Sequence, residues 1–436
     1  MSNTTDPIVV VGGGLAGLTA AATAARGGAA VTLLEKANAP GGRAATQVRD
    51  GVALNQGPHA LYRGGAGMVV LRGLGIEPRG GIPNASGGHA ISGGRLHALP
   101  GGLVSLLSTS LLPLGAKLEV GRLLAGLGRL DAAALDGVPI ATWLARALRH
   151  EDTRQLLRAL FRLATYVDDP ERFSAGVAIR QLQLALRDNV LYLDGGWQTL
   201  VDALGAAAER AGARIVSGAR AVRLDHDGAV RAVVLADGTR VKARAVVLAV
   251  DPATALELLG DATDPSFTAF VRGTVPIHVA CLDVVLPTLP RPRSTFALGV
   301  DRPLYCSVHS AVARLAPAPR ALVQLAKYLS PAHVPDAARD ERELEEVLDL
   351  VQPGWRRHLL HRRFLPHMTV VGAGADAERG GLRGRPGVVA PGVRGVYLAG
   401  DWVGREGWLA DASLASARAA ASAATGAVAV AGPVAA

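Results

Sequence analysis

Lysine is nearly missing from this 436-residue chain: of 46 basic residues only Lys36, Lys117, Lys242 and Lys327 are lysine, the rest arginine. Any chemistry that needs a lysine amine therefore has four candidates. Cysteine is scarcer still. Cys281 and Cys306 stand 25 positions apart without C-x-x-C spacing, which excludes a disulfide framework and a cysteine metal site. Both are expected to be buried, and no metal is expected. The opening "MSNTTDPIVVVGGG" lacks a basic leader and a long apolar run, so no secretory signal is read and a cytoplasmic location is expected. The charge of +9 comes without any aromatic-interleaved basic run, so nucleic acid is not an expected partner. The densest basic stretch, "WRRHLLHRRFLPH" at 355–367, reads as a solvated helix face. Unbroken apolar spans are absent too: residues 98–116 carry no charge but are interrupted by Pro100, Gly101, Gly102, Pro113 and Gly115. A membrane-crossing helix is not expected there; a surface touching a membrane peripherally is.

What the chain has is enough apolar sequence, 49%, for a sizeable core in two or three domains or one large, interrupted fold. "IVVVGGGLAGLTAAATAARGGAAVTLLEK" reads as strand, glycine turn, small-residue helix, strand and acid. Gly12, Gly14 and Gly17 form G-x-G-x-x-G between strand and helix. The first allows the tight turn, the second lets a pyrophosphate approach, and the third lets helix pack on strand. Glu35 ends the second strand 18 residues after Gly17, where a carboxylate can accept from ribose hydroxyls. Residues 213–250 read as short strands separated by "HDG" and "DG" turns, residues 115–190 as mainly helical, and "GVYLAG" at 395–400 as a late buried strand. A second glycine cluster, "VVGAGADA" at 370–377, is followed by "ERGGLRGRPG", which cannot make the helix a nicotinamide site requires.

After the acid come Gly41, Gly42 and Arg43 in "EKANAPGGRA", then "RDGVALNQGPHALY", and near the end "YLAGDWVGREGWLADASLASA". With these the chain resembles the flavin-containing amine oxidase superfamily, nearest in motif to bacterial phytoene desaturase-like and protoporphyrinogen oxidase-like proteins. The resemblance implies an α/β fold: a Rossmann-like FAD-binding domain, interrupted in sequence, with a mixed α/β substrate or cap domain. The expected division is 1–95, 195–255 and 365–436 for the FAD domain and 96–194 and 256–364 for the cap. Non-covalent FAD is implied. Along it the pattern would set Gly12, Gly14, Leu15, Ala16, Gly17, Glu35, Lys36, Gly42 and Arg43 at the adenosine and pyrophosphate, and Val222 at adenine. Gly57, Pro58 and His59 fall near the ring system, Gly400 and Asp401 at the ribityl chain, and Leu409 and Ala412 at the start of the final helix. Asn55 stands where many relatives have aspartate, and its amide can still hold the loop.

The resemblance also implies hydride transfer to flavin N5. His278 falls where amine oxidases of the superfamily carry a lysine, and none of the four lysines fits better. Trp408 falls at a cage aromatic. His59, His278 and Trp408 are the catalytic candidates. The expected reaction is dehydrogenation, or desaturation, of a carbon–carbon bond in an apolar small molecule, with oxidation at a carbon–nitrogen bond or redox-neutral isomerisation as alternatives. Oxygen, a quinone or another diffusible acceptor would take the electrons.

Overall fold

A computed structural model describes residues 6–84, 87–260 and 263–426. Strand Ile8–Val11 is buried along its whole length, and its successive side chains enter two cores. Ile8 and Val10 join one, Val9 and Val11 the other. Such a run of β-branched residues is the pattern of a central parallel strand covered on both faces. The sheet around it is five-stranded, in the order Arg214–Val216, Val31–Leu34, Ile8–Val11, Ala245–Leu248, Val396–Leu398. Every pairing is parallel, with Ile8 opposite both Val31 and Ala245.

On one face lie the helices Leu15–Arg26, Gln198–Arg210 and Ala410–Thr425, whose alanines and glycines let helix and sheet approach closely. On the other lies a three-stranded antiparallel sheet, Ala221–His226, Val230–Leu235 and Arg240–Lys242. The meander expected over 213–250 is thus divided. Its first and last strands extend the parallel sheet, and the three between them cover it.

A second sheet has seven strands in the order His361–Val371, Ile277–Leu286, Ala321–Leu329, Leu304–Ser307, Phe296–Gly299, His89–Ser92, Arg95–Ala98. Alternation assigns its faces. Ala280, Leu282, Val284 and Leu286 pack under helix Ala337–Val351 with Leu344, Val347 and Leu348, while Val279 and Cys281 point the opposite way with Tyr305 and Tyr328. Helices Leu114–Leu127, Ile140–Ala147, Glu151–Thr165 and Ala175–Asp188 form the helical layer expected over 115–190.

One further expectation changes. The basic stretch 355–367 is not a helix face: it is a 3-10 turn, Trp355–His358, running into strand His361–Val371. Three of its four arginines pair with acids, Arg356 with Glu345 and Asp349, Arg362 with Glu341 and Glu345, and Arg363 with the buried Asp283. Residues 98–116, by contrast, break where the glycines and prolines fall, leaving helix Leu103–Ser108 and the start of helix Leu114–Leu127. Among the described residues no helix is long and apolar enough to cross a membrane.

Candidate active site

The carboxyl ends of the parallel strands open into a cavity of about 790 Å³ whose far wall is the inner face of the seven-stranded sheet. Crevices at that edge of a parallel sheet are where such folds bind ligands. At one end of the cavity the glycine turn is fixed by close packing. A Cβ on Gly12, whose φ is +105°, would lie 2.4 Å from the Ala249 carbonyl oxygen, and one on Gly17 would lie 1.7 Å from that of Gly12. Gly14 meets nothing within 4 Å and lines the cavity. It caps helix Leu15–Arg26 with no side-chain hydrogen bond, so the first-turn N–H groups and the positive end of the helix dipole are presented to a phosphate.

Glu35 is buried beside this turn. Its Oε2 accepts from Gly13 N at 2.6 Å and its Oε1 from Ala37 N at 2.7 Å. A carboxylate has further lone pairs, so these bonds orient Glu35 and still leave it able to accept from a ribose. Lys36, Val222, Arg220 and Thr254 continue the lining.

Asp401 ends the cavity side of strand Val396–Leu398 and is 2% exposed. Arg43 Nη1 donates to its Oδ2 at 2.6 Å and to the Val370 carbonyl at 2.7 Å, while Gly372 N donates to Oδ1 at 3.2 Å. The Asp401 carboxylate in turn raises the Arg43 pKa. These bonds tie the end of the parallel sheet to strand His361–Val371 of the other sheet. Both Asp401 oxygens are thus engaged by protein donors.

The opposite end is apolar and aromatic. Tyr166 follows helix Glu151–Thr165 with φ +64°, a left-handed turn that swings its ring onto the lining. Its hydroxyl donates to the Pro58 carbonyl at 3.0 Å, and its ring meets Tyr328 edge-on. Val279, Cys281, Met368 and Val370 complete that wall. Gly57, at φ +80°, lies against Cys281; a Cβ there would stand 2.7 Å from Sγ. Burial pushes the Cys281 thiol far up, which leaves it a neutral apolar contact. Across from it His59 packs on Trp197, ring centres 4.9 Å apart. His59 Nδ1 stands 3.0 Å from the Gly57 carbonyl, and since a carbonyl only accepts, that nitrogen carries the hydrogen. Burial lowers the His59 pKa, against the pull of the Gly57 and Arg43 carbonyls. Trp197 Nε1 is a buried donor with no partner among the described residues. Asn55 holds the loop, its Oδ1 accepting from Trp197 N at 2.9 Å and Thr46 Oγ1 at 2.8 Å.

The lining brings together Gly12, Gly14, Leu15, Ala16, Glu35, Lys36, Gly42, Arg43, Pro58, His59, Val222, Gly400, Asp401 and Leu409. Gly17, Gly57 and Ala412 sit directly behind it as packing positions. Two catalytic candidates lie elsewhere. His278 is one residue out of register: it points away from Val279 and Cys281 and stacks on His367 at 3.9 Å, and burial with that neighbour takes its pKa down to about 4. Trp408 is 1% exposed; it donates to the Thr165 carbonyl at 2.9 Å and packs edge-on against Phe173. Residue alternation along Ile277–Leu286 was the available signal for Val279 and Cys281. Nothing local to residue 166 announced Tyr166.

The residues present suit a flavin dinucleotide. The cavity offers two helix N-termini without side-chain caps, at Gly14 and Leu409, for a pyrophosphate and for an anionic ring edge. It also offers an oriented acid for ribose and an orphaned indole donor beside an apolar wall. Among the described residues no His, Cys, Asp and Glu cluster could hold a metal ion.

A parallel dinucleotide-binding sheet facing a mixed, mainly antiparallel sheet across one such cavity defines an FAD-dependent oxidoreductase fold. The family model for flavin containing amine oxidoreductases matches residues 15–425, and the chain belongs to that family. An oxidoreductase structure from Methanosarcina mazei superposes with TM-score 0.76 at 19% identity, covering 95% of this chain and 99% of that one. Cyclohexylamine oxidase from Brevibacterium oxydans IH-35A superposes with TM-score 0.72 at 18% identity, covering 97% and 99%. A coproporphyrinogen III oxidase from Propionibacterium freudenreichii subsp. freudenreichii is 34% identical over 111 residues, a match spanning 24% of this chain and 20% of that protein.

Proposed function

We propose that this oxidoreductase binds FAD non-covalently and dehydrogenates a carbon–carbon bond of an apolar small molecule held against Tyr166, Val279, Cys281 and Met368. The observation that carries this is the composition of that wall. Of the four lysines, only Lys36 lines the cavity, and it stands beside Glu35 at the glycine-turn end. Lys327 is held by Asp340 at 2.7 Å and Glu343 at 2.9 Å. No lysine amine therefore faces the aromatic end, which weighs against carbon–nitrogen oxidation of the superfamily's amine oxidase type. The coproporphyrinogen III oxidase name of the partial relative favours a large, largely apolar substrate.

When bound, the flavin would accept a hydride at N5 and return two electrons to oxygen, a quinone or another diffusible acceptor. The protein's part is orientation, exclusion of water and proton handling. Gly12 to Ala16, Glu35, Lys36, Gly42, Arg43 and Val222 hold the nucleotide end, and Gly57, Pro58, Gly400, Asp401 and Leu409 frame the ring system. Tyr166, fixed through Pro58, sets the height of the substrate over it. His59 is neutral at rest, yet two carbonyls stand ready to accept from its charged form, so it can hold the proton released from the neighbouring carbon.

The cap, 96–194 and 256–364, carries a surface suited to lipid. Leu103, Val104, Leu107, Leu114 and Leu118 are 54–81% exposed on two adjoining helices, and residues 95–130 hold four basic side chains against one acid. Beneath them, Leu163 and Phe296 belong both to the patch's own core and to the layer around Tyr166. Peripheral contact with an anionic bilayer would give an apolar substrate a short path inward.

The deciding experiment is anaerobic mixing of the FAD-loaded protein with polyenes, porphyrinogens and amines while following the oxidised-flavin bands. Bleaching by a polyene or porphyrinogen is the expected result. Bleaching by amines alone would replace this reading with amine oxidation, and turnover that requires prior reduction without net electron transfer would replace it with isomerisation.

A further inference from the structure

Behind Trp408 lies a second, small cavity of about 30 Å³ lined by Arg172, Arg379 and Arg385 together with Asp169 and Asp376. Two of the arginines are engaged: Arg172 pairs with Asp376 at 2.9 Å, and Arg379 donates to the Phe270 carbonyl at 3.3 Å while lying over that ring. Arg385 is different. It is 6% exposed, and among the described residues no acid pairs with it. Its Nη1 donates to the Gly407 carbonyl at 3.2 Å and its guanidinium lies 4.9 Å from the centre of the Trp408 ring. Nε and Nη2 have no partner among the described residues. Burial draws its pKa down to about 10, against the opposing pull of the Asp401 charge.

Those two nitrogens form one edge of a planar fork, with parallel N–H groups spaced for the two oxygens of one carboxylate. The Gly407 bond and the Trp408 face fix the plane, so the edge is presented rather than free to turn. A buried guanidinium with an unmet edge is costly, and a volume of about 30 Å³ suits roughly two oxygen-sized groups. The cavity also shares its walls with the active site. Val167 lines it while Tyr166 lines the large cavity, and Ile277 and Gly374 line it while Val279 and Gly372 line the other. We propose that Arg385 is a carboxylate-binding residue whose free edge receives a carboxylate beside Trp408, so that the substrate has an apolar body and an acidic arm. The assignment to substrate rests on the dehydrogenation reading above; the carboxylate site itself does not.

The test uses FAD-loaded wild type, Arg385→Met and Arg385→Lys, the last keeping the cation but losing the fork. Thermal midpoints are measured with sodium acetate against sodium chloride at equal ionic strength, and dissociation constants with coproporphyrin III against its tetramethyl ester. Acetate should raise the wild-type midpoint where chloride does not, and neither variant should respond. The free acid should bind the wild type at least about tenfold more tightly than the ester, and that preference should vanish in both variants. An acetate response without preference for acid over ester would keep the site and assign it to a small free carboxylate. No difference between acetate and chloride, with acid and ester equal, would overturn the proposal; should Arg385→Met fail to fold, Arg385→Lys alone decides. Purified protein that cannot be loaded with flavin would undo the flavin reading and leave the acetate comparison standing.

Discussion

The two ends of the large cavity are built differently. The glycine-turn end comes mainly from one stretch, 12–43, closed at Gly12 and Gly17 by backbone contacts that leave no room for an added Cβ. The aromatic end draws Pro58 and His59, Tyr166, Trp197, Val279, Cys281 and Met368 from five separated segments of chain. A site whose contacts are backbone N–H groups can be encoded by residue spacing. A site made of side chains is encoded by which strands and helices happen to meet, so it can change chemistry while the first stays fixed.

That contrast makes the largest expected effect a glycine. Gly17→Val drives a side chain into the Gly12 carbonyl, where overpacking costs about 3 kcal/mol or more. The purified variant should lack oxidised-flavin absorbance and melt earlier; flavin retention at wild-type level would break the claim that this end is set by close packing. Tyr166→Ala should do the reverse, keeping the flavin spectrum while slowing anaerobic reduction by substrate about 10- to 100-fold through lost orientation. Stopped-flow traces would show it, and an unchanged rate would remove Tyr166 from the site.

Asp401→Ala tests the seam between the ends. It strips Arg43 of its partner and opens the tie to strand His361–Val371, so FAD should dissociate about tenfold more readily, as read by apoprotein reconstitution, with Asp401→Asn intermediate. The smallest effect concerns Asp411, in the first turn of the last helix. It is buried, and Gly67 N donates to it at 2.8 Å; burial raises its pKa to about 7. A folded pKa above the unfolded value of about 3.9 means its contribution is complete below pH 4 and lost as pH rises through about 7. Asp411→Asn keeps the acceptor and removes the charge. It should therefore gain about 1 kcal/mol over wild type at pH 8 and little at pH 4, measured by denaturant melts at both. An equal gain at the two pH values would show that ionisation is not the cause.

Much of the nucleotide end was legible because its signals are local. Gly12, Gly14, Glu35 and Arg43 stand at spacings that a strand–turn–helix unit imposes, and Asp401 ends a strand that the pattern "GVYLAG" announced. The errors came from long-range packing. His278 missed by one residue, which in a strand reverses the face. Trp408 was expected to face substrate, but its indole N–H found the Thr165 carbonyl, and the ring went into the helical core. The basic run at 355–367 reads as a helix face from sequence because the acids that pair with it lie up to 80 positions away, as Asp283 does for Arg363.

By itself, then, the sequence determined the dinucleotide turn, the late strand carrying Asp401 and the scarcity of lysine, since each depends on residue identity within a few turns or on plain counting. Only the tertiary structure decided which side chains line the aromatic end of the cavity and that Arg385 is buried with an unmet edge. Those properties depend on which elements pack together and on what each side chain finds there, and neither is written in the spacing of neighbours along the chain.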